Sequence, residues 1–390
     1  MNIPAPRPEV APIWLSAECG DFETFRQLVS QTANPEWTPH AAEVIRNIPI
    51  YDGAMVDVAA TDPGRRAALT QEWATVFSSG AGIIVIRQGL ADHAVIDRAS
   101  AVFDQIIAEE KRAAKGGGDH FAAPGANDRI WNSLEKHCLA DPASFAAYFS
   151  SQGIALAAEA WLGPHSQMTA QVNRVNPGGA AQTPHRDYHL GFMSGDQMAR
   201  YPAHIHAVSP VLTLQGAVAH CDMPVETGPT MLLPFSQQFF EGYLAFSRPE
   251  FQAHFAANHV QLPLNKGDLL FFNPAVMHGA GTNHTTDRFR MVNLLQVSSA
   301  FGRAMETVNR TRMLHALYPV LVTTQGLNIA NVIAASAEGY PFPTNLDRNP
   351  PKDGMAPKTQ ADYLREALAT GQIATDFFAT LAALDAKNLT

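Results

Sequence analysis

In TPHRDYH, residues 183–189, an imidazole and a carboxylate stand two positions apart, at His185 and Asp187. Extended backbone sends alternate side chains to the same side, so the pair can address one ion. A third ligand must come from elsewhere in the chain. MHGAGTNH, residues 277–284, offers His278 at the end of an apolar run and ahead of two glycines. Two imidazoles and one carboxylate on one face leave three coordination positions open. Non-haem iron(II) needs that vacancy to take a chelating co-substrate and O₂, and no thiolate lies nearby to favour zinc or an iron–sulfur cluster. An isolated His-x-Asp is common by chance, and Asp187 alone reads as a turn residue. The ordered set of three is far more specific.

A second requirement is a cation for the far carboxylate of a dicarboxylic co-substrate. Arg290, in DRFRMVNLLQV, follows His278 on the next apolar run, and a guanidinium there can grip a carboxylate through two parallel hydrogen bonds. Arg288 is its rival at period two. Arg290 sits deeper in the run, where a charge needs an anionic partner. Other histidines carry weaker readings. His204 and His206 form a second His-x-His that with Glu226 would mimic a cupin site, but they lie between Pro202 and Pro210. His189, His220 and His284 read as supporting or surface residues.

The elements that must position these groups are short strands. Between 166 and 298 the apolar runs are brief and bounded by Gly, Pro, Asn and Asp: MTAQVNRV (168–175), VLTLQGAVAH (211–220), TMLLP (230–234), HVQLPL (259–264), DLLFFN (268–273) and FRMVNLLQV (289–297). Such runs predict a jelly roll, interrupted by a Phe-rich helix at 235–257. Helical spacing marks 65–79, 92–111 and 144–162, with a strand at 83–87. The tail returns to helix over 302–335 and 359–385. The first 60 residues show no clear element, and KGGGD (115–119) reads as a loop bordering the site. The expected class is α+β: a double-stranded β-helix (jelly roll) core over 65–300, an N-terminal extension over 1–64 packed on it, and a helical C-terminal extension over 301–390 that covers the site or makes a homodimer contact.

Composition narrows the function. Apolar residues make up 46% of the 390 and charged residues 16%, a globular balance. A net charge of −9 without a Lys/Arg stripe argues against nucleic acid. No run approaches the roughly 20 apolar residues of a membrane helix, and MNIPAPRPEVAPIW lacks a signal peptide's pattern. Cys19, Cys138 and Cys221 are scattered and odd in number, which suits a reducing compartment. The expectation is a cytoplasmic protein acting on a small molecule.

From about Trp73 to Ser298 the chain resembles the phytanoyl-CoA dioxygenase-like iron(II)/2-oxoglutarate oxygenases. GAGIIVIRQGL is similar to the family's first strand and turn, and PHRD carries the first two ligands. AVAHCDMPVETGPTMLLPFSQQ (217–238) resembles the stretch around the family's Gly-Pro and Pro-Gly-Ser-His turn. NKGDLLFFNPAVMHGAGTN (265–283) resembles the strand reaching the distal histidine, and FR at 289–290 its arginine. The resemblance implies Fe(II), 2-oxoglutarate and O₂ as cofactor and co-substrates, with succinate and CO₂ released as a substrate is hydroxylated. The chain departs from the family pattern at Ala280, where Ser is common, and at Gln215, where Trp is common; the Pro-Gly-Ser-His turn is PFSQ. Gln171, Asn173 and Gln215 are the candidates for further co-substrate contacts. Two other readings use the same residues: a non-redox, cupin-like metalloenzyme and a catalytically silent jelly-roll binding protein.

Overall fold

A computed structural model describes residues 13–113, 125–352 and 355–389. The extreme N-terminus and the KGGGD loop fall outside the described residues. The strands are β1 (Glu43–Ile45), β2 (Ile48–Asp52), β3 (Ile83–Arg87), β4 (Asn127–Ile130), β5 (Gln167–Val175), β6 (Thr213–Ala219), β7 (Met231–Leu233), β8 (Leu269–Phe272), β9 (Met277–Gly279) and β10 (Arg290–Ser298). Eight form one sheet in the order β1-β2-β3-β8-β6-β10-β5-β4, and β7 pairs with β9 in a second. Among the described pairs of the large sheet, β2–β3 alone is parallel. Backbone bridges His185↔His278 and Leu232↔Val260 widen the small sheet on both sides.

Strand alternation divides the large sheet cleanly. One set of side chains, including Ile50, Val85, Ala217, Ala219, Leu270 and Phe272, packs with Leu232, Val260, Leu262 and Leu264 from the small-sheet side. That is the jelly-roll interior. The opposite set, including Ile84, Ile86, Val172, Leu214, Val218, Phe271 and Leu295, packs under helices. A sheet covered on both faces accounts for strands such as β6 and β8 that are buried at every position. The fold is mixed α+β, with helices flanking a jelly roll.

Several boundaries differ from the sequence reading for identifiable reasons. The described residues 13–61 hold β1, β2 and two α-helices, Phe22–Val29 and Gly53–Thr61. The two strands are only three and five residues long and carry Pro49, so no periodicity announces them. The helix expected over 144–162 is two, Pro142–Phe149 and Gln152–Leu162, because Ser151 caps the second through the amide of Ile154. HVQLPL forms no strand; Pro263 has no N–H to give a ladder, and only Val260 and Leu264 make isolated bridges. Pro249 and Gly371 divide other expected helices.

The C-terminal helices Arg310–Thr323, Ile329–Ser336, Gln360–Thr370 and Ala374–Asn388 do not lie over the small sheet. Met313, Leu317, Tyr318, Ile333, Leu364 and Phe377 bury themselves in the cluster on the outer face of the large sheet. The strap that leaves β10, residues 299–309, instead meets the end of β5, accepting from Gln167 at Ser299 O and Gly302 O.

Candidate metal centre

His185, Asp187 and His278 converge, with one ligand atom from each lying within 4.8 Å of the others. His185 Nε2 is 3.6 Å and His278 Nε2 3.7 Å from the Asp187 carboxylate, on different oxygens. Backbone pairing brings them together. His185 and His278 exchange amide hydrogen bonds of 2.8 and 2.9 Å, and the amide of Asp187 donates to Pro274 O. The His-x-Asp segment is thus an extra strand on the edge of β9, and period two aims His185 and Asp187 the same way.

Both imidazoles are set in the tautomer a metal needs. His185 Nδ1 lies 2.8 Å from Thr183 O and His278 Nδ1 2.8 Å from Val276 O. A carbonyl only accepts, so each Nδ1 donates and each Nε2 keeps its lone pair for the ion. Burial, and then the neighbouring His185, push His278 down to about 4, which keeps it unprotonated at neutral pH. The Phe272 ring meets His278 edge-on at 4.8 Å. Two neutral nitrogens and a carboxylate, with part of the site open to solvent, fit a divalent iron ion.

Gln215 occupies the interior row of the sheet at this level. The cross-strand register sets Thr169, Gln296, Gln215 and Phe272 side by side on β5, β10, β6 and β8. Gln215 donates through its amide nitrogen to Asp187. Arg290 lies three interior rows further along β10, beyond Leu294 and Val292, with Ala217 and Ala219 beside them on β6. It is 4% exposed, and burial lowers its guanidinium to about 10. Among the described residues no carboxylate pairs with it, and its Nε has no hydrogen-bond partner. A buried, unpaired guanidinium above a floor of Leu294, Val292, Ala217 and Ala219 fits a carboxylate ligand. Arg288 is exposed and precedes the strand.

Gln171 and Asn173 also face the interior, Gln171 opposite Leu294 and Asn173 opposite Val292. Gln171 accepts from Arg129, and Asn173 Oδ1 is unpartnered. The second His-x-His does not gather. His206 is buried against Tyr188 Oη and Tyr201 O, while His204 and Glu226 are exposed. His189 Nδ1 bonds Thr213 Oγ1 at 2.9 Å, His284 is exposed, and His220 lies on the sheet's outer face.

Arg186 is the residue that sequence reasoning passed over. Period two turns it away from the metal side into the protein, where it is 6% exposed. It donates to Ala275 O, Ser236 O and, at 3.0 Å, Phe239 O, and lies over the Tyr243 ring. It therefore bolts the ligand strand to the turn before β9 and to the 236–243 loop. Gly242 makes room for it: a Cβ there would sit 1.8 Å from the guanidinium. The alternation of His, Arg and Asp was the available signal, since a strand edge with a functional side needs an anchor on the other.

The fold and this centre define a jelly-roll protein carrying a two-histidine, one-carboxylate cluster able to hold a metal ion. The chain matches the family model for phytanoyl-CoA dioxygenase (PhyH) over residues 52–292 and belongs to that family. A curated relative, the dioxygenase FrzG of Cladobotryum sp, is 26% identical over 160 residues, which is 40% of this chain and 45% of that protein. The match thus spans less than half the relative's length. Among solved structures, the chain is similar to the non-haem α-ketoglutarate-dependent carbocyclase SnoK of nogalamycin biosynthesis, at 18% identity and TM-score 0.44 over 60% of this chain and 86% of that one. It is also similar to AviO1 of Streptomyces viridochromogenes Tue57, at 19% identity and TM-score 0.43 over 61% of this chain and 96% of that one.

Proposed function

We propose that this protein is an iron(II)- and 2-oxoglutarate-dependent dioxygenase that hydroxylates a small molecule, releasing succinate and CO₂. The observation that carries the reading is the pairing of the His185–Asp187–His278 centre with an unpaired, buried Arg290 on the same interior face. A non-redox metalloenzyme or a silent jelly roll has no use for that arginine. Membership of the phytanoyl-CoA dioxygenase family supports it.

The residues' parts follow from their chemistry. His185, Asp187 and His278 hold the metal, and the carbonyls of Thr183 and Val276 keep the two rings oriented. Gln215 fixes the carboxylate plane of Asp187. Arg290 takes the far carboxylate of 2-oxoglutarate, with Asn173 and Gln171 nearby on the same face. Iron, oxoglutarate and O₂ together supply the oxidising power; the chain binds, orients and limits solvent access. The small-sheet side and the strap wall the site, and the carboxylate at 187 occupies the position a halide ligand would need. The free thiols of Cys19, Cys138 and Cys221 accord with a cytoplasmic setting, and no described helix is long and apolar enough to cross a membrane.

The test is 2-oxoglutarate turnover by the iron-loaded chain, read as succinate released. The reading expects release that requires both Fe(II) and O₂ and is lost in His185→Ala. Well-folded, iron-loaded protein that forms no succinate with or without candidate substrates refutes it.

A further inference from the structure

On the side of the metal row away from Arg290, the interior becomes polar. Beyond the row of Thr169, Gln296 and Gln215 comes a row of Gln167, Ser298 and Thr213. The strap closes this end, with Gln167 Nε2 donating to Ser299 O and Gly302 O at 3.2 and 3.0 Å. The strap then brings Glu306 to the side wall. Its Oε1 accepts from the Asn132 amide at 2.7 Å, and Gln171 and Arg129 both face its carboxyl group. Asn132 is held in the left-handed region, at φ 50°, a strained conformation for a residue with a side chain.

Several of these groups lack partners. Gln215 Oε1, Gln296 Oε1, Ser298 Oγ, Asn132 Oδ1 and Glu306 Oε2 are shielded and make no hydrogen bond. Gln215, Gln296 and Ser298 are each at least nine-tenths buried. Every one of the five is able to accept. For three the sense is fixed: the Gln215 nitrogen must face Asp187, the Asn132 nitrogen donates to Glu135 and Thr307 O, and a carboxylate only accepts. Gln215, Gln296 and Ser298 share the interior face of the large sheet, and the Glu306 carboxyl group stands beside Gln171 of the same face. An unmet buried acceptor costs roughly 1–3 kcal/mol, so this set calls for a ligand rich in donors.

The set also says what the ligand is not. An acyl chain lying here leaves every acceptor unmet. An anion meets the Glu306 carboxylate, and a cation meets Arg129 beside it. A neutral molecule with several hydroxyl groups satisfies them all.

We propose that Glu306, Gln215, Gln296 and Ser298 form the recognition wall for a neutral, hydroxyl-rich substrate, and that the strap exists to bring Glu306 to it. This rests on the oxygenase reading for the metal's place in the pocket.

The test uses the anaerobic iron(II)–2-oxoglutarate holoprotein and the paramagnetic relaxation of probe protons by the iron. Three probes are titrated: methyl α-glucopyranoside, protonated glucosamine and octanoyl-CoA. The expected result is relaxation of the glucoside, weakened about tenfold in Glu306→Leu and largely kept in Glu306→Gln, which retains an acceptor. Gln296→Leu weakens it in the same direction. Relaxation of octanoyl-CoA in place of the glucoside, or of glucosamine alone, or of no probe, overturns the proposal; so does a Glu306→Leu variant that binds the glucoside unchanged. The 2-oxoglutarate charge-transfer band recorded on the same samples reports metal and co-substrate separately. A missing band condemns the oxygenase reading, whereas a normal band with the wrong probe response condemns only the recognition wall.

Discussion

Gln215 bears directly on how well Asp187 holds a cation, because its amide fixes the carboxylate that two histidines approach from either side. Outer partners of metal ligands are worth about 10- to 100-fold in affinity. Gln215→Leu is therefore expected to weaken Fe(II) binding by that order while leaving the fold intact, measured by competition with a chelator. Arg290 makes a different prediction. With no carboxylate of its own, it loses nothing internal when shortened, so Arg290→Ala should leave Fe(II) affinity within a few-fold and raise the 2-oxoglutarate Kd at least tenfold. Loss of both affinities together contradicts the assignment. At this scale the sequence was legible. His-x-Asp, a histidine at a strand end and a deep arginine are local patterns with a chemical reason. Gln215's bond to Asp187 was not, because it depends on the register of β6 against β10.

The His-x-Asp strand hangs on the edge of a small sheet by a few backbone bonds, and its outward side is anchored by Arg186. Arg186 donates to three carbonyls without meeting a carboxylate. Arg186→Met removes those donors and strands their acceptors, a loss on the order of 3 kcal/mol or more that should appear in chemical denaturation. Gly242→Ala pushes a methyl into the guanidinium and is expected to cost about 1–3 kcal/mol with a parallel loss of iron affinity. An alanine variant as stable and as metal-competent as the parent refutes the anchor. The N-terminal segment supports the same strand: Leu15 packs with Tyr188, Tyr243 and Ala275. None of this was readable beforehand. Strands of three to five residues leave almost no periodicity, and the partners of Arg186 lie 50 to 89 positions away. The long helices and long strands, by contrast, announced themselves through spacing.

Across the whole molecule, the large sheet separates two chemistries. Its inner face carries the metal row, while its outer face buries a polar network in which His220 bridges Ser100 Oγ and Tyr148 Oη at 2.8 and 2.9 Å, with His137 bonded to Ser144 Oγ nearby. Burial drives both histidines down to about 3; at His220 the neighbouring His137 and Lys266 add to it. In the unfolded chain they titrate near 6.5. Between those values the unfolded state binds protons that the folded state refuses, so stability should fall as pH drops from about 6.5 toward 3. Melting temperatures across that range should show the decline, and His220→Gln should flatten it; a flat profile in the parent contradicts the account. The tail's place was the least legible feature at this scale, since its helices predict their own faces and not which side of a distant sheet receives them. The strap joins that tail to β10, and its Glu306 accepts from the Asn132 amide. All of it depends on the iron and its co-substrate sharing one interior face. The most direct measurement is the visible charge-transfer band of anaerobic Fe(II)-loaded protein on adding 2-oxoglutarate, with His185→Ala and Arg290→Ala as companions. The account predicts a band in the parent, none in the histidine variant, and one that needs far more 2-oxoglutarate in the arginine variant. A folded, iron-loaded parent that shows no band contradicts it.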